Sequence, residues 1–428
     1  MHPEPSPARV KSPLLFIFLT VFIDLLGFGI VIPLLPTYSL KFQSSELELG
    51  LLFSCFSGMQ FVFAPMWGRL SDRIGRRPVL IGGLIGTSAS YVLFAHASSM
   101  QMLYASRLLA GFFGANVSAA QAYIADVTKP EQRAKGMGLV GAAFGLGFTL
   151  GPLFSAELTR IGERAPGYAA AALSLAAAIF GALTLAEPAR HASDAARAFG
   201  MGEVREALRT PRIGTLLLLN YLAIFAFSCF ESMFIRFGLA LFPSVFHFDQ
   251  AVARASVDEI LRASRYANYY LCFIGVISAV IQGGFIRRLV PRFGETRLVS
   301  VGPLVLGLGL LLIGLAPSWP VVIAGCILMP FGFGLNNPSL AGLTSRAAPP
   351  HRQGAYLGMS QSAASLARVT GPPIAGVLFA RIGPHSPFVA AACVLFVAAL
   401  IAVGYRARFQ PTFEGAAAAP PPPPQIVE

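Results

Sequence analysis

The sequence predicts an all-α membrane protein of twelve transmembrane helices, arranged as two pseudo-symmetric six-helix bundles. Three observations predict it. Of 428 residues, 55% are hydrophobic and 12% charged, whereas a soluble domain carries about 25% charged residues. A globule of this composition could not cover its surface with polar groups, so lipid is the solvent that fits. Second, apolar runs of about 20 residues, the length that crosses the hydrocarbon, recur along the whole chain. Third, the chain repeats itself. A shift of 220 residues lays Gly114-Ala115-Asn116 on Gly334-Leu335-Asn336, Gly138 on Gly358, and Gly151-Pro152 on Gly371-Pro372. One offset joining two different helices marks a duplicated unit, and parallel repeats flanking a midplane site are a transporter architecture.

The elements follow in order. After an N-terminal tail (1–13), the apolar run from Leu14 to Leu35 is too long for the h-region of a cleavable signal, roughly 7–15 residues. The predicted spans of the N-terminal bundle (14–187) are 14–36, 49–67, 79–97, 101–125, 136–157 and 167–187. A central loop (188–212) carries Arg190, Arg197, Arg205, Arg209 and Arg212 and divides the helices six and six. The C-terminal bundle (213–405) holds spans 213–241, 266–287, 297–316, 319–343, 354–380 and 387–405, with a longer loop at about 244–265. Short connections make successive helices antiparallel. The Ala/Pro-rich tail (406–428) is read as disordered.

Basic residues set the orientation. With both termini and the central loop in the cytoplasm, twenty-two of the 32 lysines and arginines fall inside and eight outside, while Arg107 and Arg368 lie within spans. The net charge of +12 is scattered in bursts between apolar runs, which argues against a nucleic-acid partner. The excess of arginine over lysine (Lys11, Lys41, Lys129 and Lys135 only) and of alanine reads as genome composition. Cys55, Cys229, Cys272, Cys326 and Cys393 all sit in apolar stretches without metal-ligand spacing, so they read as small buried hydrophobes and no metal site is expected.

The connection after the second span reads Gly68-Arg-Leu-Ser-Asp72-Arg73-Ile-Gly75-Arg76-Arg77-Pro78. This resembles the loop 2–3 signature of the major facilitator superfamily. Gly141, Gly145, Gly147, Gly151 and Pro152 in helix 5 resemble the antiporter motif of its drug:proton exchangers. Arg107 followed by Leu-Leu-Ala-Gly111 resembles the helix-4 motif, and Asp24-Leu-Leu-Gly27-Phe-Gly29 with Pro33 and Pro36 the first helix. With Ala122-Tyr-Ile-Ala-Asp126 and Gln353-Gly354, the chain over residues 14–405 is most similar to tetracycline-efflux transporters and the animal tetracycline-transporter-like type. The resemblance implies the major facilitator fold and proton-driven efflux. It departs at loop 8–9 (Gly284, Arg287, Arg288, Arg292, Phe293, Gly294), a degraded copy of loop 2–3. It departs also at Ser90, where the tetracycline pumps carry an acid before the tyrosine, and in helix 9, which lacks their acid. These absences argue against tetracycline itself as the substrate.

Charges within spans are the candidate functional groups. At mid-span each costs about 2.5–3.5 kcal/mol on insertion scales, so Asp24, Glu231, Arg107 and Arg368 are expected to face water or one another. Asp24 and Glu231 are the proton-coupling candidates; the alternative for each is a hydrogen bond to a neighbouring helix. Arg107 either snorkels to the outer surface or, as the resemblance implies, tunes the acid. Arg368 either binds an anionic substrate or pairs with an acid. Asn116, Gln121, Gln282, Asn336, Asn337 and Gln361 are polar candidates for the cavity lining; Phe28, Tyr91, Tyr123, Phe144, Phe227 and Tyr356 can furnish its walls. Gly68, Asp72, Arg73, Gly75, Arg76 and Arg77 are read as a gating loop, its glycines allowing a tight turn and its acid capping a helix or bridging to an arginine. The helix-5 glycines allow close helix contact; the resemblance adds a bend at Gly151-Pro152 that hinders proton leak.

These readings converge on a monomeric, multi-pass secondary transporter with no cofactor beyond protons as coupling ion. It exports a small amphipathic molecule by alternating access, and the short loops suit a bacterial inner membrane. The alternatives are an uncoupled facilitator or importer of an organic anion or metabolite, a lipid flippase, and a non-transporting sensor. No HExxH, paired-aspartate protease pattern or P-loop is present, which argues against an enzyme.

Overall fold

In the computed structural model, the described residues (13–114, 117–127, 133–187, 201–248, 256–348 and 353–418) are helices joined by short turns, with no strand among them. The N-terminal half contains α1 (Pro13–Val31), α2 (Leu35–Lys41), α3 (Glu46–Ile74), α4 (Arg76–Ala95), α5 (Met100–Gly114), α6 (Val117–Val127), α7 (Arg133–Leu158) and α8 (Ala165–Thr184). The C-terminal half contains α9 (Met201–Arg209), α10 (Pro211–Leu241), α11 (Val257–Val280), α12 (Ile286–Phe293), α13 (Glu295–Gly314), α14 (Trp319–Ala347), α15 (Gln353–Arg381) and α16 (Ser386–Ala418). Nine helical stretches among the described residues are long and apolar enough to cross a membrane.

Local chemistry explains several boundaries. Pro33 and Pro36 do not end the first helix. A 3-10 turn (Ile32–Leu34) passes the chain from α1 into α2, since proline is tolerated in a first turn. Ser45 and Ser256 open α3 and α11 with the same capping box. Each serine hydroxyl accepts from the backbone N–H three residues on (Glu48 or Glu259), and that glutamate accepts from the serine amide at 2.8 Å. A π-turn at Ile281–Phe285 joins α11 to α12.

Three expectations are corrected. The C-terminal tail is helical to Ala418, because α16 continues unbroken past Arg408; residues 419–428 lie outside the described residues. The central loop is partly helical: α9, with Ala207 turned inward between exposed Arg205, Glu206, Leu208 and Arg209, lies just before α10. The loop at 244–265 is shorter than expected, because α11 begins at Val257.

The two halves repeat one another in packing. In the first, α1 lies against α7 and α8, and α4 against α5 and α8; in the second, α10 lies against α15 and α16, and α13 against α14 and α16. The halves meet through α3 against α15 and α7 against α11. Gly50 of α3 touches the backbone of Pro372 and Pro373, and Gly376 of α15 touches that of Glu46 and Leu47. Ser54 Oγ donates to the Val369 carbonyl (2.7 Å), Thr37 Oγ1 to Ser264 (2.6 Å), and Asn268 Nδ2 to Ser155 (3.1 Å). These contacts lie toward the end where α3 begins. Farther along, the same helical faces become exposed, at Phe61, Val62 and Pro65 on α3 and at Gly358, Gln361, Ser362 and Leu366 on α15. A cleft therefore widens toward the end that carries the α3–α4 connection.

Close backbone approach needs glycine where α1 crosses α7. A Cβ at Gly29 would run into the Gly147 carbonyl, and one at Gly151 into the backbone of Gly29. No flexible side chain is there to yield. Gly151→Val is expected to cost about 3 kcal/mol or more and to lower the melting temperature of the purified protein. An unchanged melting curve would show that α1 and α7 have room to part.

Candidate functional site

The site is built around the charges that the helices carry inward. On α1, Asp24 accepts a 2.7 Å hydrogen bond from Ser174 Oγ of α8. One turn on, Phe28 packs on Phe56 of α3 (ring centroids 4.8 Å) and Phe148 of α7 (5.8 Å). Asp24 is half-buried, between that aromatic wall and the α8 contact. Tyr91 of α4 lies within electrostatic reach of both Asp24 and Arg107. Arg107 is 1% exposed. Its guanidinium carbon sits 5.4, 5.7 and 5.9 Å from the ring centroids of Phe94, Tyr91 and Phe56, and its Nε and Nη2 have no hydrogen-bond partner. The snorkelling alternative is thereby excluded: the side chain turns inward to aromatic faces that favour a cation.

In the other half, Glu231 of α10 and Arg368 of α15 lie within electrostatic reach of each other. Arg368 is one turn before Pro372 and two turns after Gln361 on the face of α15 that turns toward the first half. It sits just inside the point where Pro372 closes on Gly50. The neighbouring α10–α15 contact is fixed by Tyr221 Oη with Thr370 Oγ1 (2.9 Å) and by Asn220 Nδ2 donating to the Ser360 carbonyl (2.8 Å). The arginine and the acid thus lie near one another on the adjoining helices α10 and α15, and Gln361 is exposed farther along α15.

Asn336 does not line the cleft. It is 1% exposed, packed where α14 crosses Gly302 of α13, because that crossing needs a small residue on one helix and places Asn336 on the other. Asn116 lies outside the described residues, as do the side chains of Gln121, Gln282 and Phe144.

The α3–α4 connection is a dense ion-pair network. Arg76 Nη1 pairs with Asp72 at 2.7 Å, its Nε with Asp126 at the end of α6 at 2.9 Å, and Nη1 also donates to Ser71 Oγ. Arg77 donates to the Ala182 carbonyl. Only Gly75 makes the turn (φ 110°, ψ 156°). Gly68 lies inside α3 with open space where a Cβ would go, so the expected turn role of Gly68 does not hold. Asp72 does not cap a helix either. The acid at the start of α4 is Glu187, which accepts from the Arg76 and Arg77 amides at 2.6 and 3.1 Å. Arg73 is exposed.

At the opposite end a buried arginine crosses between the halves. Arg236 of α10, 9% exposed, donates from Nη1 to Glu46 of α3 (3.1 Å) and from Nη2 to Ser39 Oγ (3.0 Å) and the Ser44 carbonyl (2.8 Å). Arg236 is one of the eight basic residues counted on the outer side from the sequence. The signal available was its position five residues before the end of an apolar helix.

Comparison with known proteins decides the family. The family model for the Major Facilitator Superfamily matches residues 17–359 and 259–427. The chain belongs to the Major Facilitator Superfamily. Major facilitator superfamily domain-containing protein 10 of Homo sapiens is 31% identical over 434 residues, covering 91% of each chain. The class C tetracycline resistance protein of Escherichia coli is 30% identical over 383 residues, covering 87% of this chain and 91% of that one. Multidrug resistance protein 1 of Bacillus subtilis is 30% identical over 400 residues, covering 93% and 97%. The crystal structure of the human organic anion transporter MFSD10 (TETRAN) superposes with a TM-score of 0.68 at 26% identity, over 93% of this chain and all of that one.

As a superfamily member the chain is a multi-pass membrane transporter, not an enzyme. Of the helix-5 glycines, Gly147 and Gly151 serve the α1–α7 contact, while Gly145 faces open space. Gly141 is in α7, and nothing of its surroundings is described. The helix α7 continues through Pro152 as one element.

Proposed function

We propose that this Major Facilitator Superfamily protein is a proton-coupled exporter of small amphipathic molecules. It has twelve spans in two bundles, both termini in the cytoplasm and the cleft facing inward. The distribution of basic residues supports that orientation. The observation that carries the reading is an ionisable acid within a long apolar helix of each half: Asp24 against Ser174, and Glu231 within electrostatic reach of Arg368. A carboxyl group that changes partners and solvent access as the halves rock can take a proton on one side and release it on the other. Arg368 favours the anionic members of that substrate class, in keeping with the resemblance to the human organic anion transporter MFSD10 (TETRAN).

Purified protein in liposomes with an imposed pH gradient tests this. Tetracycline, ethidium and fluorescein, one zwitterion, one cation and one anion, are added in turn while proton release is followed by an entrapped dye. A compound that releases protons from the native protein and not from the Asp24→Asn protein identifies antiport and substrate class together. Equilibration of a compound without proton movement would establish the facilitator reading instead. If fluorescein alone is moved, Arg368→Gln is expected to raise its half-saturation concentration about tenfold or more, since a charge-assisted contact is worth about 1.5–3 kcal/mol.

A further inference from the structure

Loop 8–9 looks like a worn copy of loop 2–3, yet its backbone is conserved in geometry. In the first half a single residue, Gly75 (φ 110°, ψ 156°), separates α3 from α4; in the second a single residue, Gly294 (φ 76°, ψ 151°), separates α12 from α13. Aligning these glycines pairs Arg76 with Glu295. The offset of 220 that superposes Gly114 and Gly334 pairs Asp126 with Arg346. The two pairs make the same link. Arg76 bridges to Asp126, and Glu295 bridges to Arg346, each tying the residue after the glycine to the end of the next helical unit. The charges are exchanged.

The second pair is exposed at Arg346 (54%) but shielded at Glu295, so it is screened less than a pair exposed on both sides. The Glu295 side chain is 14% exposed, and its carboxylate lies directly over Gly342 of α14, where a Cβ would meet it at 2.5–2.8 Å. Gly342 is the seat for the acid. With the arginine of the first half at position 295, two guanidinium groups would face each other, so both residues must change sign together for the link to persist.

We propose that Glu295 and Arg346 form the charge-exchanged counterpart of the Arg76–Asp126 clasp, holding the α12–α13 joint to the end of α14 so that the inner rim of the second half moves as one body. This assignment is independent of proton coupling and of substrate.

The test uses the full-length protein in nanodiscs, with Glu295→Arg, Arg346→Glu and the double exchange. Each single change sets like charges together and is expected to lower the melting temperature by about 3–6 °C; the double exchange is expected to restore most of the loss. Should a single reversal fail to fold, Glu295→Gln, Arg346→Gln and their combination complete the cycle. As a second readout, Ala348→Cys at the end of α14, in a background without the five native cysteines, should react with a maleimide at least threefold faster in the single reversals and return toward the native rate in the double exchange. Additive losses in the double exchange, or single reversals indistinguishable from the native protein in both readouts, would overturn the clasp.

Discussion

Replacing Asp24 by asparagine is expected to abolish the energy coupling of transport while leaving the bundle intact. Asparagine keeps an oxygen that can accept from Ser174 Oγ, so the 2.7 Å link between α1 and α8 survives and the melting temperature should change little. What is lost is the exchangeable proton. One charge crossing about 100 mV is worth about 2.3 kcal/mol, and one pH unit adds about 1.4 kcal/mol. An exporter moving one proton against one neutral molecule can therefore hold a gradient of about 400-fold. Asp24→Asn should let that ratio relax to about one, with downhill equilibration retained. The measurement is the steady-state ratio of a transported compound across vesicles under a fixed pH gradient and potential. A variant that still holds a gradient would move coupling to Glu231, whose glutamine variant is then the next comparison.

Removing Arg236 is expected to open the closed end. Its guanidinium makes three contacts with the other half, to Glu46, Ser39 and the Ser44 carbonyl, and all three must break before the halves can part there. Methionine preserves apolar bulk and deletes the donors. Hydrogen bonds from charged groups contribute about 1.5–3 kcal/mol each at best and neutral ones about 1. Arg236→Met should therefore shift the balance toward the outward-open form by about 3 kcal/mol in total, roughly a hundredfold in population. Spin labels at Leu47 on α3 and Ala240 on α10, both exposed, report the separation directly. The expected result is a long-distance population in Arg236→Met that is small in the native protein. An unchanged distribution would assign closure to the helix contacts at Gly50–Pro372 and Gly376–Glu46 and leave Arg236 as a local anchor.

The sequence by itself determined an all-helical membrane protein built from apolar spans, and it exposed the internal repeat, because both rest on properties that act locally or add along the chain. A run of twenty apolar residues is a span whatever packs on it. A charge inside it calls for a partner whatever that partner is. The tight turn between α3 and α4 was legible for the same reason, although it rests on Gly75 alone while Gly68 and Asp72 lie within α3. Only the tertiary structure decided the pairings. Glu187 rather than Asp72 supplies the acid at the start of α4, Ser174 holds Asp24, and Arg107 settles among the rings of Phe94, Tyr91 and Phe56. Asn336 faces α13 instead of the cleft, and Arg236 and Glu46 lie 190 residues apart yet make contact. Which face of a helix meets which neighbour depends on crossings set by small residues on both helices at once, and no single stretch of sequence contains both.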